Sequence, residues 1–237
     1  MIAGPAFPRF RLGLSLIGSP IEGAFVRHVS VDPGPLAPWT KDGHVLCPPA
    51  LLPAEAFVDT IARTPGFRCC NVLAGLEIDV DGRDWTDGTT AHVAETMAWV
   101  EAGSRLVEAG DPGSVSTWVW DQSSLQLARE GWRLVLEDPG GQAPDDPFHW
   151  RPLETVYAPF CHALAEEARE LQAACVRLRD ALARRGMSDD VAARRLSGLG
   201  DMPRTDSVDP ELAFAIAWRE LGAGVGLERA IRALSTA

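Results

Sequence analysis

The chain has 237 residues, an apolar share of 46% and a formal net charge of −11. This length is enough for one large domain or two small ones, and the composition is typical of a folded globular protein. The excess of carboxylates repels phosphate backbones, so it argues against nucleic-acid binding and favours a basic partner.

The cysteines form an odd set of five, two of them adjacent, which argues against a disulfide framework. They are Cys47, Cys69, Cys70, Cys161 and Cys175. No apolar run approaches the roughly 20 residues that span a bilayer, and the apolar stretch after Arg11 is shorter than the core of a signal peptide. We therefore expect a cytoplasmic protein without a membrane segment. The arginine-rich, lysine-poor composition fits a bacterial source.

The first predicted elements form a β-hairpin. Apolar residues alternate from Phe10 to Leu16 and again from Phe25 to Val31, which is the period of half-buried strands. Residues 32–53 contain six prolines and little periodicity, so we expect a long irregular loop that offers a binding surface. A short helix follows Pro53.

The middle of the chain predicts a strand, a helix and a three-stranded meander. Apolar residues alternate from Cys70 to Val80, and a helical pattern runs from about Thr90 to Ala109. The meander strands are expected at 116–120, 124–129 and 132–137. Their predicted shared buried face consists of Trp118, Trp120, Leu125, Leu127, Trp132, Leu134 and Leu136.

The last third of the chain is predicted to be helical after a linker at 138–147. A long helix from about Pro159 to Arg185 carries an apolar seam with heptad spacing, followed by three shorter helices. The seam residues are Cys161, Leu164, Ala168, Leu171, Cys175, Leu178 and Leu182. Packing within the chain is favoured over a coiled-coil dimer, and both alternatives stay open.

These elements predict an α+β fold, with a mostly antiparallel sheet of about five to six strands packed by helices and followed by a helical segment. The predicted division is a mixed α+β domain over 1–140 and a helical segment over 150–237, with three to four helices that can pack on the first domain.

Metal sites and cofactors are not expected. The acidic stretch from Glu77 to Asp87 departs from the EF-hand pattern, because Arg83 and Asp84 stand where an oxygen ligand and a glycine are required. His44 and Cys47 lack a second pair of zinc ligands at suitable spacing. The acidic stretch is instead interpreted as a solvent-facing surface, or as a binding face for a basic protein.

Local motifs for catalysis are weak. The sequence has no Gly-x-Ser-x-Gly elbow. The best acid–base candidates are His162 and Glu166, four apart on the long helix, together with His149. A His–Glu pair on the helix surface, without a catalytic role, explains His162 and Glu166 more simply. Partner-binding candidates are the aromatic residues of predicted loops and the nearby carboxylates, namely Trp39, Glu77, Asp79, Asp84, Trp85 and Asp87.

The order of elements resembles that of small α+β immunity proteins of bacterial toxin systems. The likeness runs from about Phe67 to Ala168 and rests on the strand at Ile78–Asp81, the helix after Thr90 and the meander with the Trp118 and Trp120 pair. It implies a non-enzymatic inhibitor that covers a basic toxin surface with carboxylates.

That implication gives the first hypothesis, a protein-binding protein that is a monomer or homodimer. The alternatives are a small-molecule enzyme with a site between the sheet and the helical tail, and a structural or adaptor subunit that dimerises through the long helix.

Overall fold

The computed structural model describes most of the chain outside its longest predicted loops. The described residues are 9–16, 39–41, 44–63, 72–80, 83–84, 91–119, 123–137, 152–198, 209–222 and 226–237. The predicted strand at 25–31 and the predicted linker at 138–147 lie outside them.

The first sheet has four antiparallel strands with the order β1-β4-β5, and β6 also pairs with β4. These strands are β1 (Arg9–Leu16), β4 (Val72–Val80), β5 (Arg83–Asp84) and β6 (Ala91–His92). The register puts Phe10 opposite Ile78 and Leu12 opposite Leu76, so the alternating apolar residues of the two strands share one face. Ile78 is fully buried and belongs to the hydrophobic core.

The second sheet is antiparallel with the order β10-β9-β8-β7. It consists of β7 (Gly113–Val119), β8 (Ser123–Glu130), β9 (Arg133–Glu137) and β10 (Leu153–Val156). The meander is thus confirmed, and Leu125, Leu127, Leu134 and Leu136 are buried as predicted. β10 was not predicted, because its four residues are too few to show a period beside a long helix.

The prediction that Trp132 is buried was wrong, because its side chain is 63% exposed. β9 begins at Arg133, one residue after the predicted start. Gly131 has a positive φ of 61°, a backbone conformation typical of a turn. Trp132 therefore belongs to the turn between β8 and β9, where the alternation of buried and exposed side chains along a strand does not apply.

The predicted irregular loop before Pro53 contains regular structure in its described part. β2 (Trp39–Lys41) pairs with β3 (His44–Leu46), and a 3₁₀ turn follows at Pro49–Leu51. Leu46 and Cys47 are fully buried, so hydrophobic burial fixes the end of this segment. The predicted short helix is α1 (Ala54–Arg63).

The remaining helices agree closely with the sequence pattern. They are α2 (Val93–Ala109), α3 (Tyr157–Arg184), α4 (Asp189–Leu196), α5 (Pro210–Gly222) and α6 (Leu227–Leu234). The Ser188 hydroxyl caps α4 by accepting from the Val191 N–H at 3.4 Å, and Asp209 accepts from the Leu212 N–H at 2.8 Å. Within the described ranges, no helix has the length and apolarity needed to cross a membrane.

α3 is the central helix of the molecule. The seven seam residues from Cys161 to Leu182 are each at most 2% exposed. α1, α5, α6 and β1 cover them, so the seam packs within the chain. One continuous buried cluster runs from Cys47 to Leu234 and joins the sheets to the helical tail.

The fold class is therefore α+β with a helical C-terminal part, as predicted. A single sheet of five to six strands is not confirmed. The described strands form two four-stranded sheets and a separate two-stranded hairpin. β4 pairs with β1, β5 and β6, whereas the meander pairs with β10.

Close packing of α2 on its neighbours depends on Gly103. A Cβ at this position would lie 2.9 Å from Leu234 Cδ2 of α6 and 3.1 Å from Leu164 Cδ2 of α3. Both leucines are buried, so they have little room to move.

We expect Gly103→Leu to lower the free energy of unfolding by about 1–3 kcal/mol, because it overpacks the α2–α3–α6 contact. Ala173→Leu, at an exposed position of α3, is the matched control and should change stability by less than about 0.5 kcal/mol. Urea unfolding measures both. Equal stability of the two variants would contradict this packing.

Candidate interaction surface

The turn between β8 and β9 presents Trp132 to solvent on a fixed backbone. The Gly131 N–H donates to Asp111 Oδ1 at 2.8 Å, and the Arg129 Nε–H donates to the Gly131 carbonyl at 3.1 Å. The Tyr157 N–H, at the start of α3, donates to the Trp132 carbonyl at 2.9 Å. Three hydrogen bonds thus hold the turn while the indole ring itself stays largely exposed.

Arg129 links this turn to the core. Its guanidinium carbon lies 3.8 Å from the centroid of the Tyr157 ring, which is a cation–π contact, and the side chain also reaches the Asp111 carboxylate at 4.0 Å. Burial raises the pKa of the Tyr157 hydroxyl to about 12. Tyr157 is therefore neutral at physiological pH and serves as a platform for Arg129.

A groove of about 580 Å³ lies beside the turn, on the face of the second sheet that points away from the core. The groove is lined by the charged residues Glu130, Arg133 and Glu137 and by the small apolar residues Ala128 and Val135. Arg133 donates to Glu154 at 2.6 Å, and this hydrogen bond holds the pKa of the Glu154 carboxyl below its usual value. Along the chain, Trp132 lies between two charged residues of opposite sign that line this groove, Glu130 and Arg133.

The strand register of the first sheet places arginine positions of β1 opposite the predicted acidic positions of β4. Arg9 is opposite Asp79 and Arg11 is opposite Glu77 in the β1–β4 register, and Asp84 is opposite Asp79 across β4–β5. Directly opposite residues of antiparallel strands share a face. The register therefore pairs basic positions of β1 with acidic positions of β4.

The other predicted partner-binding residues are only partly described. Trp39 begins β2 instead of lying in an irregular loop. Trp85 and Asp87 lie outside the described residues, as does His149. The surface around Trp132 was not among the predicted sites. The one sequence signal for it is Gly131, which marks a turn directly before the tryptophan.

His162 and Glu166 occupy exposed positions of α3. Within the described ranges, His162 forms no ion pair with an acidic side chain at 4.0 Å or less. The pair therefore stands on an open helix surface and lines neither the groove beside Trp132 nor the cleft between α2 and α6.

The described cysteines are poor nucleophiles. Cys47, Cys161 and Cys175 are free and buried. Desolvation raises the pKa of the Cys47 and Cys175 thiols to about 12 and that of Cys161 to about 11. Because the thiolate is the reactive form, these positions lack an activated nucleophile. Among described residues, no group of three or more His, Cys, Asp or Glu side chains is placed to hold a metal ion.

Comparisons with models of known protein families, with curated proteins and with solved structures give no match to this chain. The candidate surface is therefore argued from its own geometry.

We expect the buried thiols to resist a thiol-specific chromogenic reagent at pH 8 in the folded protein. A background with Cys69→Ser and Cys70→Ser leaves only Cys47, Cys161 and Cys175 to report. A pKa of about 11 leaves Cys161 on the order of 100-fold less thiolate than a cysteine at the reference value of 9.0. Three thiols should react in urea and none within minutes in buffer. Fast labelling of the folded form would contradict the burial of these groups.

Proposed function

We propose that this protein is a non-enzymatic protein-binding protein whose partner docks on the Trp132 surface, defined as Trp132 with Glu130, Arg133 and Glu137 of the adjoining groove. The observation that carries the proposal is a tryptophan 63% exposed to solvent on a turn whose backbone is held by three hydrogen bonds, two of them with the side chains of Asp111 and Arg129. The backbone that carries this side chain is already ordered, so docking costs little backbone conformational entropy.

The chemistry of the Trp132 surface suits a protein partner better than a small ligand. Exposing a large indole is unfavourable in water, and its burial by a partner recovers that free energy. The groove is open and has charged walls, which matches the polar rim that surrounds an anchoring aromatic residue in many interfaces. Leu51 and Val176, the other large apolar side chains exposed among described residues, are less exposed than Trp132.

The net charge of −11 supports a basic partner, because opposite charge speeds association and adds specificity. Together with the resemblance of the element order to immunity proteins, it supports an immunity-type inhibitor of a basic toxin or effector in a bacterial cytoplasm. The carboxylates of Glu77, Asp79, Asp84 and Asp87, with Trp39 and Trp85, are proposed as a second contact region.

The enzyme and adaptor alternatives draw less support from the described residues. The three described thiols are buried with raised pKa values, and His162 lies on an open helix surface. The seam proposed for dimerisation is covered by helices of the same chain. A binding role needs none of these groups to react.

The test combines partner capture with a quantitative titration. The tagged protein isolates its partner from the native host, and the purified pair is titrated by calorimetry at low and high salt. Trp132→Ala should raise Kd at least tenfold, because an anchoring tryptophan typically contributes more than about 1.4 kcal/mol. Leu51→Ala, which removes another exposed apolar side chain, is the matched control and should leave Kd unchanged.

Two results would count against the proposal. If Trp132→Ala and the unaltered protein bind the partner with equal affinity, the proposed docking surface is wrong. A chain that isolates no protein partner from its host, under conditions in which it stays folded, removes the binding role itself.

A further inference from the structure

The groove beside Trp132 has a floor of short side chains. In the register of the second sheet, Ser114 of β7 is opposite Ala128 of β8, and Ala128 is opposite Val135 of β9. Directly opposite residues of antiparallel strands share a face, and all three residues line the groove. Glu130 lies two residues beyond Ala128 on β8, and Glu137 lies two residues beyond Val135 on β9. Because the strands are antiparallel, these two carboxylates lie on opposite sides of the floor.

The register also sets the spacing of the two carboxylates. Glu130 is opposite Arg133, and Glu137 follows Arg133 by four residues on β9. Four residues of a strand span about 13 Å and neighbouring strands are about 5 Å apart, so the two glutamate Cα atoms are about 14 Å apart. Each carboxylate therefore pairs best with a cation of its own.

The guanidinium groups of the groove are already engaged. Arg133 pairs with the Glu154 carboxylate at 2.6 Å. Arg129 lies 3.8 Å from the centroid of the Tyr157 ring and 4.0 Å from the Asp111 carboxylate. Both positive charges of the groove thus have a carboxylate beside them that does not line the groove itself.

Among the described residues, no basic side chain pairs with Glu130 or Glu137. Neither forms a side-chain hydrogen bond or an ion pair at 4.0 Å or less with another described residue. The groove and the two carboxylates that border it, Asp111 and Glu154, hold four negative and two positive side chains. The excess charge is therefore negative and lies on Glu130 and Glu137.

We propose that the partner docks an extended segment with two basic residues four apart, which pair with Glu130 and Glu137, and a small or apolar residue midway between them, which packs on Ala128 and Val135. This inference rests on the proposed function and names the contact segment of that partner. Alternate residues of an extended chain point to the same side, and four residues span about 13 Å, which matches the spacing of the glutamates. In an α-helix, residues about 14 Å apart are about nine positions apart and point to opposite sides.

Charge variants of the full chain test this contact with the captured partner. Glu130→Gln combined with Glu137→Gln should raise Kd at least about tenfold and weaken its dependence on salt, because two charge pairs are lost. Glu101→Gln combined with Glu170→Gln removes the same charge at exposed positions outside the groove and should raise Kd less than about threefold. Calorimetry at low and high salt measures Kd, and circular dichroism verifies that each variant is folded.

Double-mutant cycles then identify the basic residues of the partner. Glu130→Gln and Glu137→Gln should each couple to a different Arg or Lys of the partner, and these two residues should be four apart in its sequence. Coupling of both variants to one residue, or to two residues at another separation, would contradict the extended segment.

The outcomes separate this inference from the proposed function. If Trp132→Ala weakens binding while the Glu130 and Glu137 double variant matches its control, the inference is wrong and the Trp132 surface stands. If Trp132→Ala leaves Kd unchanged, the docking surface is wrong and the inference fails with it.

Discussion

Burial of the α3 seam is the constraint on which the rest of the structure depends. The seven seam residues are covered by α1, α5, α6 and β1, so elements from both ends of the chain meet on one helix. The turn that carries Trp132 is hydrogen-bonded to the same helix. The N–H of Tyr157, the first residue of α3, donates to the Trp132 carbonyl. The α2–α6 cleft depends on α3 as well, since Gly103 lets α2 approach Leu164 and Leu234.

The same burial separates packing from chemistry. It removes three thiols from solvent and raises their pKa values, so they act as small apolar side chains. The exposed indole of Trp132 and the charged side chains near it lie at the margin of the core, at one end of the second sheet.

The sequence predicted the features that depend on local period. Alternation located β4 and the meander, heptad spacing identified the buried side of α3, and Ser188 and Asp209 marked helix starts. It missed features that arise from pairing between distant segments. The opposition of Arg9 to Asp79 follows from strand register, and the cleft beside Glu101 forms only when α6 returns to α2. Trp132 was misplaced because one turn residue shifts it out of the strand alternation.

The most direct test of this account is native-state hydrogen exchange at increasing urea, followed by mass spectrometry of peptides from α3 and from β8–β9. If both sheets and the helical tail share one core through α3, the most protected amides of both regions should open with the same free energy and the same urea dependence. Loss of α3 protection at clearly lower urea, with β8–β9 still protected, would contradict the shared core and divide the chain into a separate sheet domain and helical tail.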